Sequence, residues 1–174
     1  MERLSPKGPF VLLSKHQCWQ DIPLLGLACP WPLYYVAKHE LFIHPLSRWF
    51  VSGLGGVPLN RKRPLASRDS IRNIVRLIQN GERIVVFPEG TYYRNRMGPG
   101  HSGIIRAIQA RAEVAFVPVG MHYYEGRIQK RVSIRFGQAL LAEGPRGIDG
   151  FLARAMREIA DLSDLPFHAP WQKG

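Results

Sequence analysis

A histidine and an aspartate near the start of the chain are residue types suited to acid–base chemistry. His16 and Asp21 are separated by four residues and follow Phe10–Leu13, an apolar run typical of a short buried strand. A neutral imidazole accepts a proton near pH 7, and a neighbouring carboxylate fixes its tautomer and stabilises the imidazolium that forms. Because five positions along a regular helix rotate a side chain by about 140°, the two residues meet only if His16 lies in a turn and Asp21 in the first turn of the helix that follows. Such a pair is common in proteins, so the rest of the sequence decides whether it is catalytic.

The composition is that of a globular protein with a strongly basic surface. The 174 residues are 45% hydrophobic and 21% charged, which argues against wholesale disorder and favours a single domain over residues 1–174, with its core over about 10–162. Lysine and arginine number 24 against 13 acidic residues, which gives a net charge of +11. Such a surface attracts nucleic acid, anionic membranes, phosphorylated small molecules or an acidic carrier protein. Charge alone does not choose among these partners.

Cysteine usage and hydropathy limit the class further. Cys18 and Cys29 form neither a disulfide framework nor a zinc pattern, so we expect a reducing compartment and no metal site. The longest uncharged run, Ile22–Ala37, contains three prolines and is shorter than the roughly 20 apolar residues that a spanning helix needs. The N-terminus, Met1–Lys7, lacks the apolar segment of a secretory signal. We therefore expect neither a spanning helix nor secretion.

The order of the predicted elements indicates an α/β fold. Strands are predicted at Phe10–Leu13, Tyr34–Ala37, Arg83–Phe87, Glu113–Pro118 and Arg131–Phe136, and helices at Leu46–Leu54, Ser67–Asn80, His101–Ala112 and Gly150–Leu162. Strands that alternate with helices favour a central mixed, largely parallel sheet flanked by helices. The alternating segment Arg131–Phe136 is expected near an edge of that sheet.

Polar residues and a glycine follow the predicted strand Arg83–Phe87. Open α/β sheets bind ligands at the carboxyl ends of their strands, so this position is a candidate site. Glu89 could hold a substrate hydroxyl or a basic partner, and Gly90 would let a ligand approach the backbone. An earlier glycine-rich segment ends in Arg61, whose guanidinium could bind a phosphate through paired hydrogen bonds or lie solvated at the start of a basic loop.

Four blocks of the sequence resemble those of the glycerolipid acyltransferase family, which includes 1-acylglycerol-3-phosphate acyltransferases. In chain order they are His16-x4-Asp21, Gly55-x-x-Pro58-Leu59-x-Arg61, Phe87-Pro88-Glu89-Gly90-Thr91 and Val117-Pro118-Val119-Gly120. The resemblance extends from about Phe10 to Gly137. It depends on the order and spacing of all four blocks, of which the third is the most distinctive.

The resemblance implies an O-acyltransferase of phospholipid biosynthesis. It implies that His16 acts as general base on the free hydroxyl of a lysophospholipid, oriented by Asp21, and that acyl-CoA or acyl carrier protein is the co-substrate, with no cofactor. The acceptor most closely implied is 1-acylglycerol-3-phosphate, which would give phosphatidic acid. Another lysolipid, such as lyso-ornithine lipid, stays open at this point. The implied substrate-binding residues are Gly56, Arg61, Glu89, Gly90, Thr91 and Arg94.

Several positions depart from the family pattern and bear on the acceptor head group more than on the reaction. The departures are Lys15 in place of the usual asparagine, Cys18 in place of serine, Pro58 in place of an aromatic or aliphatic residue, and Tyr92 and Tyr93 between Thr91 and Arg94. Cys18 allows a rival mechanism in which its thiolate attacks the donor and forms an acyl-cysteine.

The chain begins close to the first block, so we expect the N-terminal membrane-anchor helices of many relatives to be absent. Attachment would then be peripheral or monotopic, at the cytoplasmic face of an anionic membrane, through apolar surface and a basic face. A basic nucleic-acid-binding module is an alternative, but no zinc-finger, cold-shock or RNA-recognition signature is present, so no nucleic-acid partner is expected. A non-catalytic lipid-binding relative is a further alternative.

Overall fold

The structure is a computed structural model that describes residues 8–60, 64–124, 131–142, 144 and 147–167. The strands are β1 (Phe10–Ser14), β2 (Leu33–Lys38), β3 (Gly56–Leu59), β4 (Arg83–Val86), β5 (Ala115–Tyr124) and β6 (Arg131–Phe136). The helices are α1 (Asp21–Ala28), α2 (Pro45–Gly53), α3 (Pro64–Gln79), α4 (Gly103–Gln109) and α5 (Ile148–Leu162), and a short 3-10 helix covers His39–Phe42.

The strands form one sheet in the order β3-β2-β4-β1-β5-β6. Every neighbouring pair is parallel except β5 and β6. Parallel strands need crossover connections, and α1, α2, α3 and α4 lie in them. The predicted α/β fold with a mixed, largely parallel sheet is confirmed. This topology brings the carboxyl ends of β1 to β5 to one edge, where such sheets bind their ligands.

The central strand β1 is buried on both faces of the sheet. Val11 and Leu13 enter a core cluster with α3, α4 and α5, whereas Phe10 and Leu12 enter a second cluster with α1. A parallel strand covered on both sides is expected to be continuously apolar rather than alternating. Packing on both faces therefore gives the turn after β1 a rigid base.

Two strands differ from their predicted form. The sequence pattern predicts no strand at Gly56–Leu59, yet this segment pairs with β2 as β3. The predicted end of β5 at Pro118 is wrong, because the strand continues to Tyr124. Gly120, which resembles a strand terminator, instead permits a close approach: a Cβ there would overlap the main chain of Leu162.

The helices follow their predicted periodicity and differ mainly at their ends. For example, α4 is shorter than the predicted His101–Ala112, and α5 begins at Ile148 rather than Gly150. Within the ranges that the structure describes, no helix has both the length and the apolar composition needed to cross a lipid bilayer.

Candidate active site

His16 lies in the turn that connects β1 to α1. The N–H of Lys15 donates to the Val119 carbonyl of β5 at 2.9 Å, and the chain then leaves the sheet. Asp21 is the first residue of α1, where the helix dipole favours a carboxylate. The predicted geometry, with the histidine in the turn and the aspartate in the first helical turn, is confirmed.

The two side chains are hydrogen-bonded and buried. His16 Nδ1 lies 3.0 Å from Asp21 Oδ2, and 10% of the histidine side chain and none of the aspartate side chain is exposed. Because a carboxylate only accepts, a neutral imidazole in this position carries its proton on Nδ1. Nε2 then bears the free lone pair, and no hydrogen bond from a described residue occupies it. Nε2 is therefore the atom that can act as a base.

Donors hold both oxygens of Asp21. Oδ2 also accepts from the backbone N–H groups of Gln17 at 2.5 Å and Cys18 at 2.9 Å, and Oδ1 accepts from the Tyr123 hydroxyl at 2.5 Å. Burial opposes the charge, but the hydrogen bonds from His16, Tyr123 and the backbone outweigh it and hold the pKa of Asp21 below its ordinary value. Asp21 therefore remains a carboxylate at neutral pH and can stabilise a protonated His16.

Two aromatic side chains fix the plane of the His16 ring. Phe87, directly after β4, stacks on it with ring centroids 3.8 Å apart and an interplanar angle of 16°. Tyr92 meets it edge-on at 4.4 Å. The imidazole is thereby oriented by packing as well as by its hydrogen bond to Asp21.

A buried ion pair adjoins the dyad and joins the ends of β1 and β4. Lys15 Nζ lies 2.7 and 2.9 Å from the two carboxylate oxygens of Glu89. Nζ also donates to the carbonyls of His16 and Tyr93, while Glu89 accepts from the N–H groups of His16 and Gly98. Burial lowers the pKa of Lys15, although Glu89 acts in the opposite direction. The pair therefore ties the main chain of the catalytic turn to the loop after β4.

The predicted substrate-binding residues of the third block, and Arg94 in the loop that follows it, differ in exposure. Glu89 is buried, and its oxygens are engaged by the contacts just described. Gly90 has φ +66°, a left-handed conformation that favours glycine in this turn. Thr91 and Arg94 are exposed. Thr91 and Arg94 are thus the members of this group whose side chains are open to solvent.

The structure does not bring Gly56 together with the dyad. The register through β2 and β4 places Gly56 at the level of Leu12, four residues before His16. A Cβ on Gly56 would overlap Val51 of α2, so the absence of a side chain serves packing. Arg61 lies outside the described residues.

Two cavities adjoin the dyad. The first, which we call the α3–α4 cavity, has a volume of about 700 Å³ and is lined by Leu59, Ile71, Phe87, Pro88, His101 and Ile104, among others. It reaches His16 through Phe87. The second, the β5–β6 cavity, has a volume of about 510 Å³ and is lined in part by Gln17, Cys18, Leu24, Arg94, Tyr123 and Arg131. It reaches Asp21 through Cys18 and Tyr123.

The sequence pattern assigns no role to three residues around the dyad. They are Tyr123, Lys15 and Gln17, whose side-chain amide donates to the Met121 carbonyl and accepts from the Asn95 N–H, each at 2.7 Å. Extending the period-two pattern of β5 beyond Met121 would have pointed to Tyr123. Lys15 stood out only as a departure from the family pattern, and nothing local marks Gln17.

Comparison with known proteins gives a consistent picture. The Acyltransferase family model matches residues 1–122. The chain is 33% identical over 117 residues to the chloroplastic 1-acyl-sn-glycerol-3-phosphate acyltransferase BAT2 of Brassica napus, over 66% of this chain and 33% of the relative. It is 29% identical over 119 residues to a lyso-ornithine lipid O-acyltransferase of Pseudomonas aeruginosa, over 68% of this chain and 45% of the relative.

A solved structure shares the fold. The 1-acyl-sn-glycerophosphate acyltransferase PlsC of Thermotoga maritima superposes with a TM-score of 0.57 at 23% identity, covering 91% of this chain and 69% of that one. The chain thus spans about a third to a half of the two curated relatives. Because the family model covers well over half of its length and includes His16, Asp21 and Glu89, this chain belongs to the Acyltransferase family.

Proposed function

We propose that this chain transfers a fatty acyl group from a thioester donor, acyl-CoA or acyl carrier protein, to the free hydroxyl of a lysophospholipid. The acceptor we favour is 1-acylglycerol-3-phosphate, which gives phosphatidic acid, because several relatives are named for that acceptor. The observation that carries the proposal is the 3.0 Å contact between His16 Nδ1 and Asp21 Oδ2, which leaves Nε2 as a base.

In this mechanism Nε2 of His16 removes the proton of the acceptor hydroxyl while the hydroxyl oxygen attacks the thioester carbonyl. Asp21 stabilises the imidazolium that results. The tetrahedral intermediate then collapses, the carbon–sulfur bond breaks, and the departing thiolate takes the proton from His16. An ester and a free thiol are formed, and the imidazole returns to its neutral state. A thioester is already activated, so this route needs neither a covalent acyl-enzyme nor a cofactor.

The α3–α4 cavity is the proposed acceptor site. It adjoins the His16 ring through Phe87. Its lining mixes apolar side chains such as Ile71 with polar ones such as His101, which suits an amphiphilic acceptor. Leu59 lines it, and Arg61 follows two residues later in the sequence, so we assign Arg61 to the phosphate of the acceptor. Thr91 is assigned to the entrance of the site.

Glu89 and Gly90 shape this site through the backbone in our proposal. The oxygens of Glu89 already accept hydrogen bonds from Lys15, His16 and Gly98, so Glu89 holds the catalytic turn rather than the acceptor. Gly90 sets the turn that follows. Both residues are therefore positioning residues.

The β5–β6 cavity is the proposed donor site. Arg94 and Arg131 line it, and their guanidinium groups suit the phosphates of coenzyme A or of the phosphopantetheine of a carrier protein. Its contact with Cys18 and Tyr123 brings a bound thioester next to the dyad. The cationic lining thus supports an anionic donor.

The acyl-cysteine route has less support from the geometry. The Cys18 thiol lies 3.3 Å from the Tyr123 oxygen and 3.6 Å from Asp21 Oδ1, and no hydrogen bond from it to His16 exists among the described residues. Asp21 is the carboxylate within reach of the thiol, but hydrogen bonds hold its pKa below the ordinary value, so it is a weak base for activating a nucleophile. We therefore favour direct transfer.

A membrane surface is the proposed site of action, with the chain attached peripherally or monotopically at the cytoplasmic face. The acceptor is an amphiphile, and the net charge of +11 is attracted to anionic lipid. The same charge suits an acidic carrier protein.

The proposal is tested by assaying the purified chain with lysophosphatidate and lyso-ornithine lipid, each with acyl-CoA and with acyl carrier protein. We expect phosphatidic acid from lysophosphatidate, and its loss in His16→Ala, with His44→Ala as an exposed histidine control. If only lyso-ornithine lipid were acylated, the acceptor would be lyso-ornithine lipid, as in the name of the Pseudomonas aeruginosa relative. No product with any lysolipid, combined with tight, salt-dependent nucleic-acid binding, would overturn the enzyme in favour of a nucleic-acid-binding module.

A further inference from the structure

The apolar face of α2 is exposed to solvent. Leu46, Trp49 and Phe50 recur at helical spacing and are 82%, 78% and 47% exposed. No residue of this nine-residue helix is buried. A surface helix normally turns its apolar stripe toward the core. In α2 the stripe is presented to the outside instead.

The exposed surface continues beyond α2 and reaches the catalytic turn. Leu41 and Ile43 precede the helix and are 43% and 68% exposed. Trp19, which is 53% exposed, meets the ring of Phe50 edge-on at a centroid distance of 6.3 Å. We call this set the α2 face: Trp19, Leu41, Ile43, Leu46, Trp49 and Phe50. Apolar surface gathered in this way marks a contact with a protein or with lipid.

Exposed charged residues adjoin the α2 face, and most of them are cations. Lys38 and Glu40 precede α2, and Arg48 lies within the helix, on the side away from its apolar stripe; all three are exposed. Across the catalytic turn, Arg94 is exposed in a loop whose neighbouring Asn95 N–H bonds to Gln17. Tryptophan and leucine flanked by lysine and arginine are the composition of helices that lie in the interface of anionic bilayers. The charge thus favours a lipid surface over an uncharged apolar partner.

The position of Trp19 links this surface to the chemistry. Trp19 stands between His16 and Asp21 in the sequence and occupies the turn that holds them. A lysolipid whose acyl chain remains in a bilayer could therefore meet the dyad at the edge of the α2 face.

We infer that the α2 face docks on an anionic phospholipid bilayer, with α2 lying in the interfacial plane. At about 13 Å, the helix is too short to cross the membrane and long enough to lie along it. Docking presents the turn between β1 and α1 to lipid at the surface. The identity of the acceptor rests on the proposed function, whereas the binding to bilayers does not.

Vesicle flotation tests the surface on the full 174-residue chain. Vesicles of equal parts phosphatidylcholine and phosphatidylglycerol are compared with vesicles of phosphatidylcholine alone. We expect the chain to float mainly with the anionic vesicles. The double variant Leu46→Ser/Trp49→Ser keeps the net charge and should bind these vesicles more weakly by a factor of about ten or greater. Leu141→Ser is the matched control, because Leu141 is 66% exposed outside the α2 face and should leave binding unchanged.

Thermal melts check that both variants fold, which we expect because the substituted positions are exposed. Equal flotation of the wild type and the double variant would overturn the inference, as would absence of flotation in the wild type. Concentration-dependent self-association that the double variant abolishes would assign the α2 face to a second copy of the chain instead.

An activity assay separates this inference from the proposed function. With a short-chain lysophosphatidate that is monomeric in water, the double variant should retain the wild-type rate. With the long-chain acceptor presented in anionic vesicles, it should lose about tenfold or more. Loss of the rate in both assays would place Leu46 and Trp49 in the reaction and overturn docking as their role. If the wild type lacked transferase activity, flotation would still decide the surface.

Discussion

The hydroxyl of Tyr123 donates to Asp21 Oδ1 at 2.5 Å and anchors the catalytic carboxylate to β5. The opposite oxygen of Asp21 meets His16 Nδ1, so the carboxylate is fixed between a strand and the catalytic turn. Burial, together with the hydrogen bond to Asp21, raises the pKa of Tyr123, so the hydroxyl keeps its proton and remains a donor. Tyr123 therefore belongs to the support of the dyad although it lies outside the four blocks.

Replacing Tyr123 with phenylalanine tests this support. We expect kcat to fall roughly tenfold while KM changes little, because about 1–2 kcal/mol of orienting hydrogen bond is lost and the ring remains. Steady-state kinetics with lysophosphatidate measure both constants. Tyr124→Phe is the matched control, since its hydroxyl meets Arg135 rather than Asp21. A fall in stability with kcat unchanged would show that Tyr123 only packs.

Replacing Asp21 with asparagine tests the dyad itself. The amide has nearly the same volume but cannot stabilise an imidazolium, and its NH₂ group would face the donors on Gln17, Cys18 or Tyr123. We expect kcat to fall by about 10³–10⁴-fold. Asp164→Asn, which removes a carboxylate from a surface pair with Arg135, is the control and should keep full activity. Retention of more than about a tenth of the activity in Asp21→Asn would contradict the assigned role.

Local sequence signals predict the first strand and the two residues of the dyad. The residues that support the dyad are brought to it by long-range contacts. The apolar run of β1 and the spacing of His16 and Asp21 lie within a dozen residues, so the sequence exposes them directly. Tyr123 and Asp21 are 102 positions apart, and Lys15 and Glu89 are 74 apart. These partners meet only because parallel pairing sets β5 and β4 against β1.

The dependence on long-range contacts also explains why the sequence misassigns two glycines. Gly56 and Gly120 sit in family blocks and resemble binding or turn residues in the sequence. In the structure each faces a neighbouring helix at a distance that leaves no room for a Cβ. The helix that comes close to a strand is set by tertiary packing, which a single sequence does not display.

The buried pair of Lys15 and Glu89 should behave as one unit in a double-mutant cycle. Lys15→Met leaves a buried carboxylate without its cation, and we expect it to lower the free energy of unfolding by about 3–5 kcal/mol. Glu89→Gln should also destabilise, whereas the combined variant should cost clearly less than the sum, since no unpaired charge remains. Urea denaturation of the four proteins gives the coupling. Asp69→Asn, from an exposed pair with Arg72, should change little, and additive costs for Lys15 and Glu89 would refute the pairing.

Replacing Cys18 with alanine separates direct transfer from an acyl-cysteine route. The backbone N–H of residue 18 still bonds to Asp21, so the turn should keep its form. We expect kcat within about threefold of the wild type, because only weak sulfur contacts with Tyr123 and Asp21 are lost. Mass spectrometry of the wild type incubated with donor alone should show no acyl adduct. An adduct that Cys18→Ala removes, together with loss of turnover, would establish the covalent route.

The depressed pKa of Asp21 predicts how stability changes in acid. The ordinary aspartate value is 3.8, and the folded value lies below it because hydrogen bonds outweigh burial. The stabilisation is therefore fully present above pH 3.8 and is lost as pH falls through the lower folded pKa. The gap between the unfolding free energies of the wild type and Asp21→Asn should not narrow from neutral pH down to about pH 5, and it should narrow below about pH 4.

Because Asp21 is buried, high salt should leave this gap intact, whereas the corresponding gap for the exposed Asp164 should shrink. A gap for Asp21→Asn that is already closing between pH 7 and 5 would mean that the carboxylate titrates at an elevated pKa, and the hydrogen bonds from His16 and Tyr123 would then not be holding it ionised.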